Sequence, residues 1–384
     1  MDLNRREASG IAKLQDCSFY QSIEIPGHGH CEGIWDHRST VDAFLGYIDV
    51  KGKTVLDAGP ANGFFTFEME KRGAEVTALD LGEAGDWDAV PNAHAPWQAE
   101  DLREQLRHNV RGVENAFWVA HQANRSRARL VYGSIYDTPS VVNGKVDIAL
   151  MSNVLQHLRD PFLAIQRVSQ VVRRTMIVTE AIWHDEQAFL DSTDMRFLPR
   201  LEEPYLGQSW WLVPPRLVME ILKLLGFGDL KCGYHDEWFN GTLEDRNPRM
   251  VRHYTVTGIR LDYTWRFVDG WHDSESNGTE TWRWSGGSQA TVAVDMAHEK
   301  PLEGQLRLKI GAAAPAGIVI KVNGHPVSRF DCSGPPEFTA VKGVSFQPGA
   351  NLIEFQSDKA ARQLSSADPR PLGFALYQLG CVIA

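Results

Sequence analysis

Long apolar runs are missing from this chain of 384 residues. No stretch approaches the roughly 18 consecutive apolar residues that a bilayer-spanning helix needs, so no membrane helix is expected. The opening MDLNRREASGIAKLQDCSFY lacks the uninterrupted apolar core of a secretory signal, which argues against export by that route. Cysteine is scarce and scattered: Cys17, Cys31, Cys232, Cys332 and Cys381 form no CxxC pair, so neither a disulfide framework nor a zinc cluster is indicated. Reduced thiols in the cytoplasm are the expectation. Basic charge is also in deficit, 39 Lys and Arg against 49 Asp and Glu, for a net charge of −10. Residues 260–384 are nearly balanced at −1 and the excess acid lies in residues 1–259. A strongly acidic body works against phosphate neutralisation, the main source of non-specific nucleic-acid affinity. Internal repeats and low-complexity tracts are absent too.

What is present is ordinary globular material, 43% hydrophobic and 23% charged, enough for two domains. KTVLD at 53–57 is a short apolar run ending in an acid, GPANG at 59–63 is a tight loop, and FFTFEMEKR at 64–72 fits a helix closed by Gly73. EVTALD at 75–80 is a second strand ending in an acid. The alternation continues through RLVYGSIYD (129–137), VDIALMSN (146–153), a helix over 160–172, TMIVTEAI (175–182) and a helix over 215–227. Apolar strands separated by helix-length segments predict a parallel sheet covered on both faces, closed by two antiparallel strands ending near 261. From about residue 263 the period changes to two, with short strands broken by Gly, Pro and Asn-Gly turns, which predicts a β-sandwich. The expected organisation is a lead-in over 1–50, an α/β domain over 51–262 and a sandwich over 263–384.

A glycine loop between strand and helix lets backbone N–H groups approach a polar or anionic ligand, and the helix N-terminus adds a favourable field. Asp57 before the loop and Asp80 at the end of the next strand are placed to accept hydrogen bonds, Asp80 from ribose hydroxyls. A G-x-G-x-x-G dinucleotide fingerprint would need glycines at 61 and 64, where this chain has Ala61 and Phe64, so a nicotinamide cofactor fits poorly.

Asp57-Ala-Gly59-Pro-Ala61-Asn-Gly63 resembles the first motif of class I S-adenosylmethionine (SAM) methyltransferases, with Ala61 in place of the usual middle glycine. Together with GIWDHR, DWD, SIYD, NVLQHLRDP and SWWLVPP, residues 20–260 resemble the family that includes the enzymes completing the tRNA wobble-uridine oxyacetate modification. The resemblance implies a Rossmann-like seven-stranded methyltransferase domain. It implies that Asp57, Gly59, Asn62 and Gly63 surround the methionine end of SAM, that Asp80 and Leu81 hold the ribose and adenine edge, and that Ser134 and Ile135 flank the adenine. Asn153 would sit beside the methyl-transfer centre, and Arg38 would face the SAM carboxylate. WDHR lacks the lysines that bind the extra carboxylate in carboxymethyl-transferring members, which favours ordinary SAM.

His157, one turn past Asn153, and Glu180, at the end of the fifth strand, are the candidate bases; packing and a solvated strand end are the competing roles. Trp210 and Trp211 either wall an acceptor pocket or pack in the core. His28, His30 and Cys31 lack a fourth ligand at zinc spacing, and Asp185, Glu186, Asp191 and Asp194 are either a magnesium site or a solvated acidic loop; no metal is expected. In the second domain Trp282 and Trp284 share a strand face, as sugar platform or as sandwich core. GW at 270–271, TWRWS, VNG and DPRPLGFAL resemble a β-sandwich module appended to bacterial enzymes of cell-surface glycan assembly. The expected function is O-methylation of a sugar hydroxyl of a bacterial surface glycan or its precursor. A tRNA wobble-uridine methyltransferase, a natural-product O-methyltransferase and a non-catalytic binding protein are the alternatives.

Overall fold

The computed structural model describes residues 13–82, 87–90, 98–183, 186–199, 209–242, 247–260, 263–296 and 300–383. The chain divides into two compact units, residues 1–225 with 230–260, and residues 226–229 with 261–384.

In the first unit the lead-in forms a hairpin of β1 (Ile23–Ile25) and β2 (Gly29–Cys31), then a two-residue strand β3 (Trp35–Asp36) and one helical turn α1 (Val41–Phe44). Next come β4 (Thr54–Ala58), α2 (Phe64–Lys71) and β5 (Glu75–Asp80), the strand, loop, helix and strand that the sequence predicts. α2 is capped by Gly63 and ends before Gly73, both in the left-handed region at φ +85° and +92°. It buries Phe64, Phe65, Phe67 and Met69. A Cβ on Gly63 would lie 2.6 Å from the Phe67 ring and 2.8 Å from that of Phe117, so this position needs glycine twice over.

The long helix α3 (Gln98–Ala123) leads to β6 (Arg129–Tyr132), α4 (Thr138–Val141), β7 (Val146–Ser152), α5 (Pro161–Gln170) and β8 (Val172–Ala181). Asp160 caps α5 by accepting from the Leu163 amide at 2.9 Å, with Pro161 at the first helical position. α6 (Gln187–Leu190), the small pair β9 (Arg196–Phe197) and β10 (Trp211–Leu212), α7 (Pro215–Leu224), β11 (Phe227–Phe239) and β12 (Arg249–Arg260) complete the unit.

The main sheet runs β3-β11-β12-β8-β7-β4-β5-β6. β4 pairs in parallel with both β5 and β7, β5 with β6, and β7 with β8, whereas β12 runs antiparallel to β8. Seven of these strands have the order and the antiparallel seventh strand of the Rossmann-like methyltransferase fold. The sheet has eight strands, not the expected seven, because β3 of the lead-in adds to its edge by pairing Asp36 with Trp238 and Trp35 with Phe239. Strand order reverses between β5–β4 and β7, and an α/β sheet opens its ligand crevice beyond the strand C-termini at that point.

The second unit is all β. One five-stranded sheet has the order β13-β16-β21-β18-β19, from β13 (Tyr263–Asp269), β16 (Gln289–Met296), β18 (Ala316–Val322), β19 (His325–Cys332) and β21 (Gly349–Ser357). The other has the order β14-β15-β22-β17-β20, from β14 (Glu275–Ser276), β15 (Thr281–Trp284), β17 (Leu302–Ala312), β20 (Glu337–Phe346) and β22 (Phe374–Ile383). Val292, Ile320 and Phe355 of the first sheet and Leu308, Val344 and Phe374 of the second share one apolar core, which makes this a sandwich. Asn323 (φ +51°) and Gly324 (φ +81°) turn the β18–β19 hairpin as the VNG signal predicts. Trp282 and Trp284 lie outside that core. Trp282 stacks instead on Tyr377 at 5.2 Å, while the partly buried Trp271 packs against the core residues Phe355 and Phe374.

Candidate functional site

A cavity of about 1010 Å³ opens beyond the C-terminal ends of β4, β5, β6 and β7. Gly59, Ala61, Asp80, Leu81, Ser134, Ile135 and Asn153 line it, as does His157. Gly59 and Ala61 both adopt left-handed backbone, at φ +89° and +51°. Ala61 thus takes a conformation that glycine occupies at lower cost. The Asp80 carboxylate accepts from the Leu81 amide at 2.8 Å and from the Ala61 amide, which ties the second strand to the glycine loop. Desolvation pushes its carboxyl up to about 6 against the pull of those amides.

Asp57, before the loop, and Asn62 and Gly63, at its end, are outside the cavity lining. Asp57 is 1% exposed; its Oδ2 accepts from Thr66 Oγ1 at 2.6 Å and its Oδ1 has no hydrogen-bond partner. Burial pushes its carboxyl up to about 7, and the nearby Asp80 adds to the rise. An orphaned carboxylate oxygen under a left-handed glycine loop suits a cationic ammonium group, held directly or through water. Asn62 holds the lead-in: its Oδ1 accepts from the amides of Tyr20 (2.9 Å) and Gln21 (2.7 Å).

Arg38 departs from expectation. Its guanidinium is held at the surface by Asp36, at 2.8 Å, and Glu24, at 2.7 Å, and it does not line the cavity. Neighbouring acids within reach compete successfully for this exposed cation. Glu180 departs as well: it is 4% exposed, does not line the cavity, and accepts from the amides of Val154 (2.9 Å) and Leu155 (2.7 Å). Trp210 and Trp211 anchor loops rather than wall the pocket, their indole N–H groups donating to Asp88 O (2.7 Å) and Arg159 O (3.1 Å).

Trp35, Trp183 and Phe239, whose ring centroids are 4.8 to 5.6 Å apart, form an aromatic part of the cavity lining. Sequence reasoning missed all three: Trp183 follows the apolar run of β8, whereas Trp35 and Phe239 end mostly polar stretches. Gln156, His157 and Ser209 add polar groups here. Trp183 Nε1 donates to Gln156 Oε1 at 3.2 Å, and the His157 ring lies 6.2 Å from that of Trp87, edge to face. Among the described residues that line the cavity, the carboxylates are Glu32, Asp80, Asp88 and Glu114, and no Lys or Arg joins them. Asp88, from the DWD segment, accepts from Tyr136 Oη (2.6 Å) and the Arg159 amide (2.7 Å).

Behind Trp35 lies a buried polar cluster that the sequence gives no sign of beyond the histidines of WDHR and HDEWF. Glu237 accepts from His37 Nδ1 (2.9 Å) and Thr40 Oγ1 (2.6 Å), and His235 Nε2 lies 3.0 Å from its other oxygen. Burial alone would raise this carboxyl, but the facing His235 and the hydrogen bond from His37 hold it at about 2. His253, driven down to about 3 by burial, is neutral; its Nδ1–H donates to Val251 O and its Nε2 accepts from Asn153 Nδ2 at 3.2 Å. Asn153 is thereby fixed at the strand end in a left-handed conformation, φ +51°.

No three metal-ligating side chains converge among the described residues. His30 faces Glu24 at 3.0 Å and Cys31 is buried, while Glu186 lies 3.5 Å from Arg196 and Asp191 accepts from Gln187; Asp185 lies outside the described residues. No helix of the described residues is long and apolar enough to cross a membrane.

The eight-stranded sheet and its crevice define a domain of the Rossmann-like methyltransferase fold. No protein-family model matches the chain, and no curated protein matches it. Among solved structures, the N-terminal domain of EvdMO1 with S-adenosylhomocysteine (SAH) and D-fucose is similar at 17% identity and a TM-score of 0.40, covering 64% of this chain and 92% of that one. Magnesium protoporphyrin IX methyltransferase from Synechocystis PCC 6803 with bound SAM is similar at 15% identity and a TM-score of 0.35, covering 58% and 79%. A further structure is a putative RNA methyltransferase from Pyrococcus horikoshii, at 10% identity and a TM-score of 0.35, covering 58% and 84%.

Proposed function

We propose that the first unit is a SAM-dependent methyltransferase acting on a hydroxyl of an uncharged sugar. One observation carries the reading: a single cavity is lined both by the left-handed loop with Asp80 and by His157 together with the rings of Trp35, Trp183 and Phe239. Gly59 and Ala61 would admit the methionine moiety, Asp57 would balance its ammonium from below, Asp80 and Leu81 would hold the ribose, and Ser134 and Ile135 the adenine. When bound, SAM supplies an electrophilic methyl group. The protein's task is then alignment and deprotonation. Trp35, Trp183 and Phe239 offer faces for the C–H surface of a sugar ring. His157 would take the proton of the acceptor hydroxyl as that oxygen is methylated.

Electrostatics favours this acceptor over tRNA. A cavity whose charged lining, among the described residues, is acidic suits a cationic cofactor beside a neutral acceptor and repels phosphate. The second unit is read as an accessory sandwich that engages the acceptor or an assembly partner.

The test is methyl transfer from labelled SAM into parallel pools of bulk tRNA, bacterial surface polysaccharide and nucleotide sugars, after calorimetry with SAH. Label in polysaccharide or sugar supports the reading. Label in tRNA alone overturns the acceptor, and no SAH binding at millimolar ligand overturns the activity.

A further inference from the structure

Two side chains at the end of β8 grip the turn that carries His157. The buried Glu180 carboxylate accepts from the amides of Val154, Leu155 and Gln156. Three residues on, Trp183 Nε1 donates to Gln156 Oε1 at 3.2 Å. That contact fixes which way the Gln156 amide points: with Oε1 taken by an N–H, Nε2 is the end lying 3.3 Å from His157 Nε2. An amide N–H cannot face an imidazole N–H. In a neutral ring this contact favours the lone pair on Nε2 and the proton on Nδ1, which lies 3.4 Å from Ser209 Oγ.

We propose that Glu180 and Trp183 are positioning residues that fix the 154–157 turn and, through Gln156, select the Nδ1–H tautomer of His157, which makes Nε2 the nitrogen that receives the acceptor's proton. The inference rests on the reading of His157 as the acceptor-side base. An acceptor hydroxyl reaches Nε2 by displacing the long Gln156 contact, and the proton passes from that hydroxyl to Nε2 while Nδ1–H stays in place. The resulting imidazolium gives its proton to water after product leaves. Glu180 is thus assigned to hold the turn and not to act as a base.

The grip has a pH dependence of its own. Burial pushes the Glu180 carboxyl up to about 8 against the pull of three amides. Above that pH the turn is held by a carboxylate; below it, a proton on Oε2 leaves Oε1, which takes the Val154 and Leu155 amides, a neutral and weaker acceptor. Glu180→Gln abolishes this titration while keeping size and one acceptor oxygen.

The experiment is NMR of the full-length protein with labelled histidine rings, the residue 157 signals being assigned by their loss in His157→Gln. At pH 9 the wild type should show the Nδ1–H signature at His157. Glu180→Gln and Trp183→Phe should each show mixed tautomers, with far-UV circular dichroism unchanged. The wild-type signature should also weaken as pH falls through about 8, and this step should vanish in Glu180→Gln. An Nε2–H signature in the wild type, or signals unchanged in both variants, overturns the proposal. If Glu180→Gln does not fold, Trp183→Phe decides through the same signal. Failure of the wild type to bind SAH strikes the proposed activity instead, and the tautomer remains readable in the free protein.

Discussion

Asn62 and Gln21 form a two-way pair: Asn62 Oδ1 accepts from the Gln21 amide at 2.7 Å while Asn62 Nδ2 donates to the Gln21 carbonyl at 3.0 Å. Both residues are buried, so the side chain satisfies backbone groups that water does not reach. The pair binds the lead-in to the glycine loop, and the lead-in supplies Phe19, Tyr20 and Trp35 to the cavity wall. Asn62→Ala leaves buried groups unpaired at a cost of about 1–3 kcal/mol each. The expected result is a lower unfolding midpoint and SAH binding weakened by about tenfold, read by calorimetry; full affinity would free the lead-in from any part in the site.

Asp57 links stability to pH. Its carboxyl is raised from 3.8 to about 7 in the folded protein, so the native state holds a proton that the unfolded chain has released. Its cost is absent below pH 3.8, grows as pH rises toward about 7, and is full above that. Asp57→Asn removes the cost and keeps an acceptor for Thr66. The ligand-free variant should melt higher than the wild type by ~2 °C or more at pH 8, with a smaller gap at pH 5. SAH affinity should fall because the ammonium loses its counter-charge. A gap that shrinks with rising pH would contradict the assignment.

Ala61 pays for its left-handed backbone, at φ +51°. Glycine removes a strain of roughly 1 kcal/mol there at some cost in unfolded-state entropy. Ala61→Gly should leave SAH affinity within about twofold of wild type and stability equal or higher, whereas Ala61→Val should lose both. Equal behaviour of the two variants in calorimetry and melting would rule out the conformational explanation.

The two tryptophan environments of the second unit should separate cleanly. Trp271 packs against Phe355 and Phe374 and donates to Thr291 O at 2.8 Å, so Trp271→Ala should cost about 3–5 kcal/mol and unfold the sandwich. Trp282, stacked on Tyr377 outside the core, contributes ~0.5–1.5 kcal/mol through that pair, and Trp282→Ala should stay folded by near-UV circular dichroism. A polysaccharide that binds wild type and Trp271→Phe but not Trp282→Ala would mark the outer face as its site.

The parallel sheet was legible because β4, β5, β7 and β8 are continuous apolar runs between turn signals, and the sandwich because its strands alternate. The glycine loop and Asp80 could be placed from spacing alone. What spacing could not supply was competition between neighbours. Arg38 is drawn off by Asp36 and Glu24, and Glu180 turns inward to three amides; neither fact follows from position along a strand. α3 was missed although Leu106, Val110, Val113, Phe117 and Ala120 recur at helical spacing, because charged residues dominate its other faces. The cluster of His37, His235, Glu237 and His253 joins segments some 200 residues apart and has no local signature.

That separation also sets an order of assembly. β3 finds its partner only when Trp238 and Phe239 exist, and His37 waits for Glu237. Closing so long a loop is slow compared with forming the local βαβ units. On a ribosome, which emits about 5–20 residues per second, a chain that already holds its glycine loop must wait many seconds before Trp35 can wall the cavity. The roof of the site is thus a late checkpoint in biogenesis, reached only after the whole first unit has been synthesised.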